Sequence, residues 1–94
     1  MNYYTIDFTN TTDLSDFYQR IIKGLGFPDW CGENADAIWD LITCHLKTPC
    51  HITVLGNNTL PRIPAYEYPI IKNTFDETVK WYKNIGEQVI FVYK

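Results

Sequence analysis

Apolar and polar positions change their period several times along the chain, and each change marks an element. Tyr3-Tyr4-Thr5-Ile6-Asp7-Phe8 alternates and is rich in β-formers, which predicts a strand. Thr11-Thr12-Asp13 supplies N-cap candidates for a helix whose apolar positions Leu14, Phe17, Ile21 and Leu25 recur at helical spacing. Gly24 and Gly26 close that helix, and Pro28 lies beyond its end. Gly32 permits a turn, and Asn34 is an N-cap for a second helix with Ala35, Ile38, Trp39, Leu41 and Ile42 on its apolar side. Pro49 precedes a second strand, His51-Ile52-Thr53-Val54-Leu55. From Gly56 to Pro69, Asn57-Asn58 and prolines at 61, 64 and 69 predict an irregular connection. Ile71, Phe75, Val79 and Tyr82 then predict a helix from about Tyr68 to Lys83, with Thr74-x-x-Glu77 as a capping box for a shorter version and Gly86 as its stop. The last run, Val89-Ile90-Phe91-Val92-Tyr93, is nearly all apolar and reads as a strand buried on both faces.

Strand and helix alternate, so the expected fold is α/β: a small three-stranded parallel sheet packed with three to four helices and joined by right-handed crossovers. No linker, repeat or low-complexity tract divides the 94 residues, and a single domain over residues 1–94 is expected. A chain of this size buries roughly 60–65% of its unfolded surface, enough for one core. No run approaches the roughly 20 apolar residues of a membrane span. The opening MNYYTIDFTN has neither the basic nor the apolar region of a secretion signal, so a cytoplasmic location is expected.

The charge distribution says more than the net charge of −3. Asp29, Glu33, Asp36 and Asp40 lie within one short segment, and no lysine or arginine occurs from Gly24 to Leu46. That segment alone carries more than the whole net charge. Such a patch repels phosphate, and no Lys/Arg cluster exists elsewhere, which argues against nucleic acid as a direct ligand. It suits a basic protein partner.

Catalytic readings find little support. Cys31, Cys44 and Cys50 are odd in number and match no zinc-ligand spacing, even with His45 and His51 beside them. They read as reduced, partly buried thiols. Cys31 lies among acids, an unfavourable setting for a nucleophile. Gly24, Gly26 and Gly32 do not form a phosphate-binding loop after a strand. Glu33, Asp36 and Asp40 could hold a divalent cation, which keeps a carboxylate-based, metal-dependent enzyme as an alternative. Carboxylates four apart on a helix are nevertheless usually just solvated, and no metal or cofactor is expected. The same residues serve a protein interface better. Asp36 and Asp40 point the same way beside tryptophans, and carboxylates that cost little in water gain value when desolvated against a partner's cations.

The segment Trp30-Cys31-Gly32-Glu33-Asn34-Ala35-Asp36-Ala37-Ile38-Trp39-Asp40, continued by Thr43, resembles the motif of the barstar family: an aromatic, then x-G-x-N-x-D-A-hydrophobic-W-D. The order of elements along nearly the whole chain is similar too. The resemblance implies an inhibitor of barnase-type ribonucleases that plugs the active site with its second helix. By that resemblance Asp40 would imitate the scissile phosphate and Asp36 would meet a second basic group. Trp30, Asn34, Trp39 and Thr43 would be the further partner-binding residues, with no catalytic residue. The implied biology is immunity: a monomer forming a 1:1 complex with a basic ribonuclease, or with a different toxin nuclease.

Overall fold

The computed structural model describes residues 1–57 and 60–94. Asn58 and Thr59, part of the connection expected to be irregular, lie outside the described residues. The elements follow in the order β1 (Asn2–Asp7), α1 (Leu14–Gly24), α2 (Ala35–His45), β2 (Cys50–Leu55), α3 (Glu67–Asn84) and β3 (Val89–Tyr93).

The three strands form one parallel sheet in the order β1-β2-β3, with β2 in the centre. Both crossovers step in the same direction, so right-handed connections place both on one face of the sheet. The rows Asn2–Cys50–Val89, Tyr4–Ile52–Phe91 and Ile6–Val54–Tyr93 point to that face. Ile6, Cys50, Ile52, Val54 and Val89 there are buried. The alternate rows, Tyr3–His51–Ile90 and Thr5–Thr53–Val92, contain no buried residue. This corrects the reading of Val89–Tyr93 as a strand buried on both faces. It is an edge strand covered on one face, and its Ile90 and Val92 stand half-buried on the other. A run of apolar residues cannot distinguish these cases, because strand order is not local information.

On the covered face α1 packs against β1, α3 against β3, and α2 against α3. Phe8 and Phe17 stack at 4.8 Å, and Phe75 stacks on Phe91 at 4.7 Å. Gly24 lets α1 approach the sheet: a Cβ there would lie 2.6 Å from the carbonyl oxygen of Thr5. Each fully buried aliphatic or phenyl side chain of this core contributes about 1.5–3 kcal/mol.

Helix ends follow local chemistry. Asp13 is the N-cap of α1, its carboxylate accepting from the Asp16 N–H at 2.8 Å. At the other end Gly26, at φ 71°, donates to Lys23 and Phe27 donates to Ile22, a Schellman closure that needs a left-handed residue. Gly86, at φ 81°, repeats it after α3, with Glu87 donating to Tyr82. The start of α3 falls within one residue of the expected Tyr68, but it takes in Pro69, which the sequence pattern places in the irregular connection. The helix begins at Glu67, so Pro69 lies in its first turn, where a missing N–H leaves no bond unmade. No side chain caps it, and Thr74 donates back to the Ile70 carbonyl instead of serving as a cap. The Tyr18 hydroxyl donates to Glu67 at 2.7 Å and ties α1 to this end; burial and then Glu67 push its pKa up.

Candidate functional site

The acidic helix is prepared by the loop before it. Phe27 and Cys31 are buried and anchor the loop, and the Cys31 N–H donates to the Pro28 carbonyl at 3.1 Å. Gly32 relieves crowding and does not supply a left-handed turn: a Cβ there would lie 3.0 Å from that of Ala37, tighter than an ordinary contact. Asn34 is extended (φ −156°, ψ 164°), and its Oδ1 accepts from the Ala37 N–H at 2.8 Å. This is an N-cap, so its side-chain oxygen is engaged within the chain.

Ile38 and Ile42 are fully buried and Leu41 nearly so, which turns Asp36 and Asp40 outward. Both carboxylates are exposed. Among the described residues neither takes part in a salt bridge; the pairs are Asp16–Arg20, Lys72–Asp76 and Glu77–Lys80, all within α1 or α3. Asp36 sits in the first turn, where the helix dipole favours a negative charge, whereas Asp40 lies beyond it. Thr43, one turn past Asp40, is half-buried, and its hydroxyl donates to the Asp40 carbonyl at 3.0 Å.

Two tryptophans stand against this helix or within it. Trp39 is half-buried, its ring edge-to-face with Trp81 of α3 at 6.3 Å and 83°. Trp30 is 73% exposed and meets the ring of His45, in the last turn of α2, at 6.3 Å. Its loop therefore runs back along the helix. Of the six residues expected to bind a partner, Asp36, Trp39, Asp40 and Thr43 share the outward side of α2. Trp30 stands against His45 at the C-terminal turn of α2, and Asn34 caps the N-terminal end.

Glu33 belongs elsewhere. Its Oε2 accepts from Ser15 Oγ and Gln19 Nε2, both at 2.8 Å, and these bonds, Gln19 first, hold its carboxyl below the usual range. It tethers the loop to α1. No group of three His, Cys, Asp or Glu able to hold a metal ion exists among the described residues, and this covers both the Glu33–Asp36–Asp40 set and the Cys44–His51 stretch. Cys31 is buried, and burial, not its acidic neighbours, raises its thiol pKa.

Two contacts of α3 were beyond sequence reasoning. Trp81 supports Trp39 across 42 positions, and the Tyr82 hydroxyl donates to the Ile42 carbonyl. No local pattern carries either signal. Two hollows, of about 330 and 460 Å³, are lined respectively by Thr9, Gly56 and Arg62 among others and by Val79, Lys83 and Ile90 among others. Neither is lined by a residue of α2. A family model described as Barstar (barnase inhibitor) matches residues 1–94.

Proposed function

The chain belongs to the barstar family, and on that premise we propose that it inhibits a small basic ribonuclease of the barnase type by steric and electrostatic blockade. One observation carries this reading: Asp36 and Asp40 project from one helix beside the half-buried Trp39, with no cationic partner among the described residues. A ribonuclease cleft is lined with cations to hold phosphate. A carboxylate inserted there replaces the phosphate charge, and Asp40 is assigned that role, with Asp36 meeting a second cation. Trp30, Trp39 and Thr43 border the contact, and Asn34 holds the helix start.

The chain performs no catalysis in this reading and uses no cofactor. It acts as a monomer in a 1:1 complex in the cytoplasm, as an immunity protein against a ribonuclease made by the same cell or delivered by a neighbour. No helix is long and apolar enough to cross a membrane among the described residues. A second reading, an immunity protein against a different toxin nuclease with a basic cleft, uses the same surface. The test is a paired pull-down at low salt with wild type and Asp40→Ala as baits, followed by an RNA-cleavage assay of what is retained. A basic protein with RNA-cleaving activity held by the wild type and lost by the variant supports the reading. Equal retention by both removes the phosphate-imitating mechanism.

A further inference from the structure

Tyr66 and Ile70 stand exposed at the N-terminal end of α3, and along its middle the outward side carries the paired charges Lys72–Asp76 and Glu77–Lys80. At its C-terminal end this pattern breaks. Trp81 is 36% exposed, and Ile85, one turn on and at the C-cap, is 58% exposed. Lys83 in the last turn lies on a different side, and two large apolar groups at i and i+4 share one side as an apolar ledge. The ledge is not isolated. Trp81 stands edge-to-face on Trp39, the residue next to Asp40, and against the ring of Tyr82 at 4.9 Å. Apolar ledge and acidic strip are therefore neighbours on one surface, built from two helices.

We propose that Trp81 and Ile85 form the apolar half of the partner-binding surface, so that the nuclease recognised by this chain carries a basic cleft bordered by an exposed apolar patch. This rests on the reading of the chain as an inhibitor of a basic nuclease. Two observations identify the occupant. The adjacent strip is acidic and uncompensated, which selects a basic partner. The Trp39–Trp81 contact makes the ledge continuous with that strip, so a body covering Asp40 also meets Trp81. The two halves do different work: unpaired carboxylates steer encounter, while a desolvated tryptophan slows dissociation.

The test measures association and dissociation rates against a panel of barnase-type ribonucleases, barnase among them, for wild type, Trp81→Ala, Trp81→Phe, Ile85→Ser and Asp40→Ala. Trp81→Ala is expected to weaken binding about tenfold or more, chiefly through faster dissociation, with the salt dependence of association unchanged. Trp81→Phe should restore most of the loss. Ile85→Ser, at the helix end, should cost about three- to tenfold while the near-ultraviolet circular dichroism stays that of wild type. If both Trp81→Ala and Ile85→Ser bind within about twofold of wild type while Asp40→Ala fails, the ledge lies outside the contact and the proposal falls, though the inhibitor reading stands. If Trp81→Ala weakens binding only together with a lowered urea-unfolding midpoint, and Ile85→Ser is neutral, Trp81 merely props α2 and the proposal also falls. If Asp40→Ala is neutral while the ledge variants weaken binding, the ledge stands and the phosphate-imitating role of Asp40 does not. A wild type that binds no ribonuclease of the panel overturns both.

Discussion

The hydroxyl of Tyr82 on α3 donates to the backbone carbonyl of Ile42 on α2, a buried bond between residues 40 apart. Ile42 lies in the last turn of α2, where carbonyls run out of intrahelical donors. One side chain of α3 thus satisfies the end of the acidic helix and fixes how that helix sits. Tyr82→Phe removes the donor and leaves the carbonyl buried. It should lower folding stability by about 1–3 kcal/mol, read from urea denaturation.

Asp40→Ala should have opposite effects on folding and on binding. The carboxylate is exposed and has no salt-bridge partner among the described residues, so stability should stay within about 0.5 kcal/mol of wild type. Truncating a charge that becomes desolvated against a partner costs about 2–5 kcal/mol, a range drawn in part from the barnase–barstar pair itself. Titration calorimetry with the captured nuclease checks both the loss and its rank above Asp36→Ala. Identical dissociation constants for wild type and Asp40→Ala would sink the mechanism.

Association should slow as salt rises, because the acidic strip is uncompensated and screening shortens its reach to about 10 Å at 0.1 M. Lys83→Ala, on a different side of α3 from Trp81, should leave affinity within about threefold of wild type. Stopped-flow rates across a salt series measure the slope. A Lys83→Ala loss as large as that of Asp40→Ala would move the interface to the other side of α3.

Acid should loosen the fold. The carboxyls of Asp7, Asp16 and Glu33 are all held below their ordinary values of 3.8, 3.8 and 4.5. The leading causes are Thr9 for Asp7, the Thr12 N–H for Asp16 and Gln19 for Glu33. Lowered carboxyl values mean that the unfolded chain binds protons first, so this stability is complete above the ordinary values and is lost as pH falls through the lower folded ones. The melting temperature should therefore drop below about pH 4.5, and Asp16→Asn should flatten the slope. A midpoint that does not change between pH 5 and 3 would contradict these assignments.

The three thiols should separate cleanly. Cys31 and Cys50 are buried, and burial raises both, Cys50 to about 11, whereas Cys44 is exposed on α2. Brief alkylation of the native protein should label one cysteine per chain, and mass spectrometry of the digest should find it at Cys44. Labelling at Cys50 without denaturant would show that the sheet opens locally.

The sequence by itself determined what is local. Asp13 and Asn34 cap helices, Gly26 and Gly86 end them, and Ile38 and Ile42 turn Asp36 and Asp40 outward, because caps and periods act within a turn or two. The acidic strip was legible for the same reason, and so was the resemblance it carries. Tertiary structure decided the rest. It made β3 an edge with one face open, since strand order depends on how crossovers are laid down and not on a strand's composition. It drew Glu33 away from the other acids to Ser15 and Gln19, and it brought Trp81 to Trp39 and Tyr82 to Ile42. Each of these joins residues 14 to 42 positions apart. Such pairings follow from how whole helices pack, and the flanking sequence holds no trace of them.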